Sequence, residues 1–199
     1  MTRILLATRN VKKLDELRRI LGPLTGIDVV GLNDVHAYDE LPETGATFAD
    51  NALAKARQAV KHTGLSTVAD DSGLTVDAMN GMPGVLSARW AGRHGDDEAN
   101  LRLLLAQLAD TPDERLGAAF VCAAAFVTPD GREVVAEGRM PGRLVREPRG
   151  VNGFGYDPVF VADGHFLTNA ELDPAAKDAI SHRGKALRAL VPALLRLGQ

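Results

Sequence analysis

Asp70 and Asp71, followed by Ser72 and Gly73, are the acids of this chain best placed for chemistry, because they stand at the end of a short expected strand, Ser66 to Ala69. A carboxylate can hold Mg²⁺, a hard cation that takes oxygen ligands and leaves room for water and a substrate phosphate. A neighbouring carboxylate can orient or deprotonate a water. Adjacent acids on extended chain project in different directions and need not share a role. Glu40 and Glu43 lie upstream in a polar stretch and could complete a metal site. The competing reading is a solvated Asp-Asp-Ser-Gly turn.

Three more stretches suit a ligand. Thr8-Arg9-Asn10-Val11-Lys12-Lys13 falls between an apolar run and a helical pattern. A helix N-terminus offers free N–H groups and a positive dipole end to phosphate, and the lysines add charge. The Walker A spacing is absent, and an ordinary cap followed by solvated lysines is the plainer alternative. Gly153-Phe154-Gly155-Tyr156-Asp157-Pro158 sets two of the chain's nine aromatic residues among turn-formers. Glycines admit close backbone approach, and aromatic faces stack bases; the alternative is a tight turn that buries both rings. Ser181-His182-Arg183-Gly184-Lys185 opens a helical pattern. There Arg183 offers a planar fork to a carbonyl or phosphate and His182 a hydrogen bond or a stacking face. Lys177, just upstream, is a further phosphate candidate.

The elements that must position these groups alternate early. Ile4 to Ala7 reads as a buried strand and Val11 to Leu21 as a helix, with Ile27 to Leu32 a second strand. Thr47-Phe48-Ala49-Asp50 has the form of a capping box. It opens an alanine-rich helix from Phe48 to His62 that ends at Gly64. Ser66 to Ala69 is a strand running into the Asp-Asp-Ser-Gly stretch, and Leu74 to Ala78 continues extended. A loop at Asn80 to Gly84 and an amphipathic helix from Asp96 to Leu108 follow. Ala118 to Thr128 and Glu133 to Gly138 flank Pro129-Asp130-Gly131 as a hairpin. Leu144 to Glu147 and Pro158 to Ala162 add short strands, and Ser181 caps a last helix reaching about Leu197. The pattern predicts an α/β protein with a mixed sheet and two lobes, residues 1–199 forming one domain.

Bulk composition narrows the function. The 199 residues are 45% hydrophobic, enough for one sizeable core. The net charge of −3 argues against a general nucleic-acid binder, while a small anionic ligand needs only a local positive pocket. The single cysteine, Cys122, excludes an intrachain disulfide and reads as a small buried hydrophobe. No signal peptide is read at the N-terminus, and no apolar run approaches the length of a bilayer span. A cytoplasmic protein that engages neither membrane nor nucleic acid is expected.

Taken together, these stretches resemble the inosine/xanthosine triphosphate pyrophosphatase family, the house-cleaning nucleotide hydrolases. Thr8-Arg9-Asn10-Val11-Lys12-Lys13, Glu43-Thr44-Gly45, Asp70-Asp71-Ser72-Gly73-Leu74, Pro83-Gly84-Val85-Leu86-Ser87-Ala88-Arg89, Gly153-Phe154-Gly155-Tyr156-Asp157-Pro158 and Ser181-His182-Arg183-Gly184 occur in the family's order across nearly the whole chain. Arg9 departs from the glycine that many members carry. The resemblance implies a long mixed sheet flanked by helices, two lobes around a central nucleotide-binding cleft, and a homodimer. It implies Mg²⁺-dependent hydrolysis of ITP, dITP and XTP to monophosphate and pyrophosphate. Carried over by position, Asp71 is general base and metal-site acid, and Glu43 a metal ligand. Thr8, Arg9, Asn10, Val11, Lys12, Lys13 and Ser72 hold phosphates. Phe154, Gly155, Tyr156 and Asp157 form the base platform, and Lys177, His182 and Arg183 complete the nucleotide contacts. Two rival readings are a Maf-like pyrophosphatase for modified pyrimidine triphosphates and a non-catalytic purine-nucleotide-binding module.

Overall fold

A computed structural model describes residues 3–25 and 28–196. A six-stranded sheet, ordered β2-β1-β3-β4-β5-β6, organises the fold. The strands are β1 (Arg3–Leu6), β2 (Asp28–Gly31), β3 (Thr67–Val76), β4 (Gly117–Val127), β5 (Glu133–Leu144) and β6 (Phe160–Ala162). The helices are α1 (Val11–Thr25), α2 (Phe48–Thr63), α3 (Asp97–Gln107), α4 (Pro174–Ile180) and α5 (His182–Leu195). β1 pairs in parallel with β2 and β3, whereas β5 and β6 pair antiparallel, so the sheet is mixed as expected.

The chain divides into two compact units. The first comprises Met1–Asp71, Cys122–Gly138 and Arg183–Gln199. Its strand residues alternate between two apolar layers, the period-two consequence of the pleat. Ile4, Leu6, Val68, Cys122, Ala124 and Phe126 pack with Leu17, Ile20 and Leu21 of α1 and with Ala186, Leu187 and Leu190 of α5. Leu5, Ala7, Ala69, Ala123, Ala125 and Val127 pack instead with Ala52, Ala56 and Ala59 of α2. Strands buried on both faces carry continuous apolar runs, which is why β1 and β4 read as such. The small alanines let α2 lie close on its face. At the N-terminus of α2 the Thr47 side chain accepts from Asp50 N while Asp50 reaches back to Thr47 N, and the helix ends on a left-handed Gly64, both as the sequence indicates.

The second unit comprises Ser72–Val121 and Arg139–His182. Its core joins Leu74, Val76, Leu101, Leu104, Leu108, Phe120, Met140, Tyr156 and Phe160. α3 begins at Asp96, whose side chain accepts from Ala99 N.

Several boundaries differ from the sequence reading. Asp70-Asp71-Ser72-Gly73 is not a turn; it lies inside one continuous strand, β3. Charged side chains break the apolar pattern there, yet each finds buried partners, so the ladder runs on. β5 likewise extends through Leu144 instead of stopping at Gly138, absorbing the start of the expected short strand at 144–147. α4, carrying Lys177, has no counterpart in the sequence reading; Asp173 caps it and Pro174 starts it. The expected strand start at Ile27 and helix end at Leu197 fall outside the described residues.

Candidate active site

In the first unit, the pleat of β3 sends its two acids to different neighbours. Asp70 points to the α1 and α5 side, where its Oδ2 accepts from Arg183 Nε at 3.1 Å and Lys13 Nζ at 3.2 Å. Arg183 Nη1 also donates to Glu16 of α1. All three of Glu16, Asp70 and Arg183 are buried. Burial alone would raise the Asp70 pKa, but the cations Lys13, Arg183 and Lys55 overcome it and hold the carboxyl well below the usual carboxylate range. Cys122 lies on this side too, its Sγ 4.0 Å from Asp70 Oδ2, and burial with the Asp70 charge pushes its thiol far up. It is a core side chain and no nucleophile.

Asp71 points to the α2 side. Its Oδ2 accepts from Asn51 Nδ2 at 2.9 Å and its Oδ1 lies 3.4 Å from Lys55 Nζ. Lys55 Nζ also reaches Glu43 Oε1 at 2.7 Å. Burial pushes the Asp71 carboxyl pKa above its ordinary value, and the Glu43 charge adds to this against Lys55 and the Asn51 bond. For Lys55, burial would lower the value, yet Asp71, Asp70 and Glu43 together raise it, so it stays charged. A carboxylate held in this way can accept a proton from water closer to neutral pH than a free aspartate can.

The β1–α1 turn is built as the sequence suggests. Asn10 N donates to Thr8 Oγ1 at 3.2 Å, and Lys13 N to Asn10 Oδ1 at 3.2 Å, which caps α1. Val11 is exposed at the helix start, and the Lys12 side chain lies outside the described residues. The exposed Arg9 pairs with Glu40 and donates to the Tyr38 carbonyl at 3.2 Å. The departure from glycine thus adds a tie to the polar segment.

In the second unit, loop 153–157 is organised by Asp157. Its Oδ2 accepts from Phe154 N at 2.9 Å and Lys177 Nζ at 2.5 Å, and its Oδ1 from Asn169 Nδ2 at 3.1 Å. A Cβ on Gly153 would sit 2.2 Å from that Oδ2, and its φ is +74°, so glycine is required there. Gly155 N donates to Asp97 of α3 at 2.9 Å. The two rings of the loop part company. Phe154 is half-buried with Lys177 Nζ 5.2 Å from its centroid. Tyr156 is buried, and its hydroxyl donates to the Ser87 carbonyl at 2.9 Å. The Tyr156 side chain is therefore a core plug, a correction to its grouping with the platform. His182 is buried and stacks on Phe120, centroids 5.0 Å apart. Ser72 is half-buried in β3.

Among the described residues no three His, Cys, Asp or Glu side chains form a ready cation cage. Glu43 and Asp71 are a two-carboxylate set. That set fits Mg²⁺, which is commonly held by one or two carboxylates with waters and substrate phosphates. The raised pKa of Asp71 fits too, since a cation beside a buried carboxylate favours its charged form. Asn51, Lys55 and Asn169 escaped the sequence reading. No motif marks them, and only the helical step from Asn51 to Lys55 hinted that they share a face.

Comparison with known proteins agrees along the whole chain. The Ham1 family profile matches residues 4–193. A dITP/XTP pyrophosphatase of Mycobacteroides abscessus is 64% identical over 197 residues, covering 98% of this chain and 96% of that protein. A protein of the same name from Nocardia farcinica is 64% identical over 199 residues, covering 99% and 97%. The crystal structure of the M. abscessus dITP/XTP pyrophosphatase superposes with a TM-score of 0.79, covering 96% of this chain and 100% of that one at 65% identity. A HAM1 protein of Coxiella burnetii, 42% identical, gives 0.88 and covers 98% and 100%.

Proposed function

The chain belongs to the Ham1 family, and from that premise we propose that it is a nucleoside triphosphate pyrophosphatase for the non-canonical purine nucleotides dITP, XTP and ITP. It splits them to monophosphate and pyrophosphate, removing them from the nucleotide pool. The observation that carries the chemistry is the chain of contacts Glu43–Lys55–Asp71, two carboxylates and one cation gathered beside the middle of β3. The similarity to dITP/XTP pyrophosphatases favours this reading over a pyrimidine-directed hydrolase and over a silent binding module.

In this reading Asp71 orients the attacking water and takes its proton as the water approaches the α-phosphorus. Lys13 and Lys55 stand near Asp71 and Asp70 and neutralise charge on the phosphates and on departing pyrophosphate. Thr8 and Asn10 present the first turn of α1 to phosphate oxygens. Mg²⁺ held by Glu43 and Asp71 would supply further charge neutralisation on the phosphate oxygens. Phe154 offers a face for the base. His182 and Arg183, carried over from the resemblance, are the candidate donors for a 6-oxo group. Adenine presents an amino group there and would leave those donors unpaired, which is costly when they are buried.

The resemblance also carries a homodimer into this proposal, and the sequence analysis a cytoplasmic location. No helix among the described residues is long and apolar enough to cross a membrane. The deciding experiment incubates the protein with dITP, XTP, ITP, ATP and a modified pyrimidine triphosphate, with and without Mg²⁺. Pyrophosphate and a monophosphate in equal amounts from the first three are expected. Release of orthophosphate, or no turnover, would overturn the proposal.

A further inference from the structure

Glu43 sits on a segment without regular structure, between a 3₁₀ turn at Leu32–Asp34 and the start of α2. The backbone there has no ladder to bond with, so its polar groups need other partners. α2 supplies them at helical spacing. Asn51 Oδ1 accepts from Gly45 N at 2.8 Å. Lys55 Nζ takes Glu43 Oε1 at 2.7 Å. Gln58 Oε1 accepts from Leu41 N at 3.1 Å, and its Nε2 donates to the Asp39 carbonyl at 2.6 Å. His62 stacks on Tyr38 with the rings 4.8 Å apart and 1° from parallel.

Positions 51, 55, 58 and 62 advance by four, three and four residues and so share one helix face. Their partners run the other way, from 45 to 43 to 41 and 39 to 38. The segment is therefore laid antiparallel along about three turns of a rigid helix. Asn51 closes the inner end, because the same buried amide donates through Nδ2 to Asp71 Oδ2 at 2.9 Å. Contact there is close: a Cβ on Gly45 would lie 2.6 Å from Asn51 Oδ1. Arg9 pins the outer end from the β1–α1 turn through Glu40 and the Tyr38 carbonyl.

We propose that Asn51 and Gln58 are positioning residues, which use one face of α2 as a rail to hold the Glu43 segment at a fixed distance from Asp71. The functional half rests on the pyrophosphatase reading above; the tether itself does not. Gln58 touches neither carboxylate, so its effect on turnover must pass through the segment.

Gln58→Met tests this, since it keeps the length of the side chain and removes both its donor and its acceptor. Amide hydrogen exchange at Leu41 is expected to speed up at least tenfold, with α2 amides unchanged and Tm within about 2 °C. The kcat/KM for dITP should fall about tenfold, the size of re-ordering roughly one residue at each turnover. Gln58→Glu, which keeps an acceptor for Leu41 N, should recover most of both. Faster exchange with normal kcat/KM, unchanged exchange with lowered kcat/KM, or failure of the two to recover together would overturn the proposal. Failure of the underlying reading would appear separately, as no pyrophosphate release from the unmutated protein.

Discussion

Asp70 and Asp71 are chain neighbours in β3 whose carboxylates meet opposite sides of the sheet: Asp70 Oδ2 lies 3.1 Å from Arg183 Nε, and Asp71 Oδ2 lies 2.9 Å from Asn51 Nδ2. Their acidities move in opposite directions. Three cations surround Asp70 and lower its pKa, whereas burial raises that of Asp71. One acid is built into the fold, and the other is held ready for a proton.

Asp70→Asn is expected to destabilise the protein at neutral pH. A carboxylate whose folded pKa is depressed contributes stability above its ordinary pKa of 3.8, and this is lost as pH falls through the folded value. Breaking the buried pair also leaves Arg183 without one counter-charge, for a cost of about 3 kcal/mol or more. Urea melts at pH 7 and near pH 3 would check it: the gap between variant and wild type should be large at the first and shrink at the second.

Asp71→Asn should keep the fold and lower turnover by about 10²–10⁴-fold, the contribution typical of an acid–base group. Its raised pKa means that the ionised form is disfavoured by folding, so its loss costs little at neutral pH. The same shift sets a pH dependence. As pH falls Asp71 takes up a proton, and kcat/KM should decline with a midpoint above the ordinary 3.8. Near-normal kcat in the variant, measured by pyrophosphate release, would remove Asp71 from the base role.

Exhaustive chelation is expected to abolish activity, with Mg²⁺ restoring it and Mn²⁺ equal or weaker. The candidate ligands, Glu43 and Asp71, are hard oxygen donors. Glu43→Gln should raise the Mg²⁺ concentration needed for half-maximal rate. Full activity in the chelated protein would refute the metal requirement.

Tyr156→Phe should cost stability and leave turnover nearly unchanged. It removes the hydrogen bond to the Ser87 carbonyl and orphans a buried acceptor, for about 1–2 kcal/mol. Phe154→Ala should do the reverse, raising KM for every purine substrate while barely moving Tm. If Tyr156→Phe weakened nucleotide binding as much as Phe154→Ala, the division between plug and platform would fail.

Arg183→Ala should reduce ITP hydrolysis more than ATP hydrolysis, by an amount consistent with one or two lost hydrogen bonds at about 1–3 kcal/mol each. Because Glu16 and Asp70 lose a shared partner, Tm should fall as well. Lys13→Ala should lower both substrates in proportion. An unchanged ITP/ATP ratio in Arg183→Ala would place Arg183 on the phosphates.

Local signals in the chain determined the capping box at Thr47, the left-handed end at Gly64, the parallel opening strands and the motifs at 8–13, 70–73, 153–158 and 181–184. Each depends on neighbours in sequence, through backbone geometry or apolar period, and so is written in short windows. The sequence could not say that Asp70-Asp71 continues a strand, because that depended on buried cations from α1, α2 and α5 brought from distant positions. Nor could it separate Phe154 from Tyr156, two rings in one loop, until Ser87 met the Tyr156 hydroxyl across 69 residues. Asn51, Lys55 and Gln58 read as an ordinary polar helix face; only the segment folded back along α2 gave them partners. Pairings between residues far apart in sequence carry no local signature, and those pairings decide that Asp70 meets Arg183 and Lys13 while Asp71 meets Asn51 and Lys55.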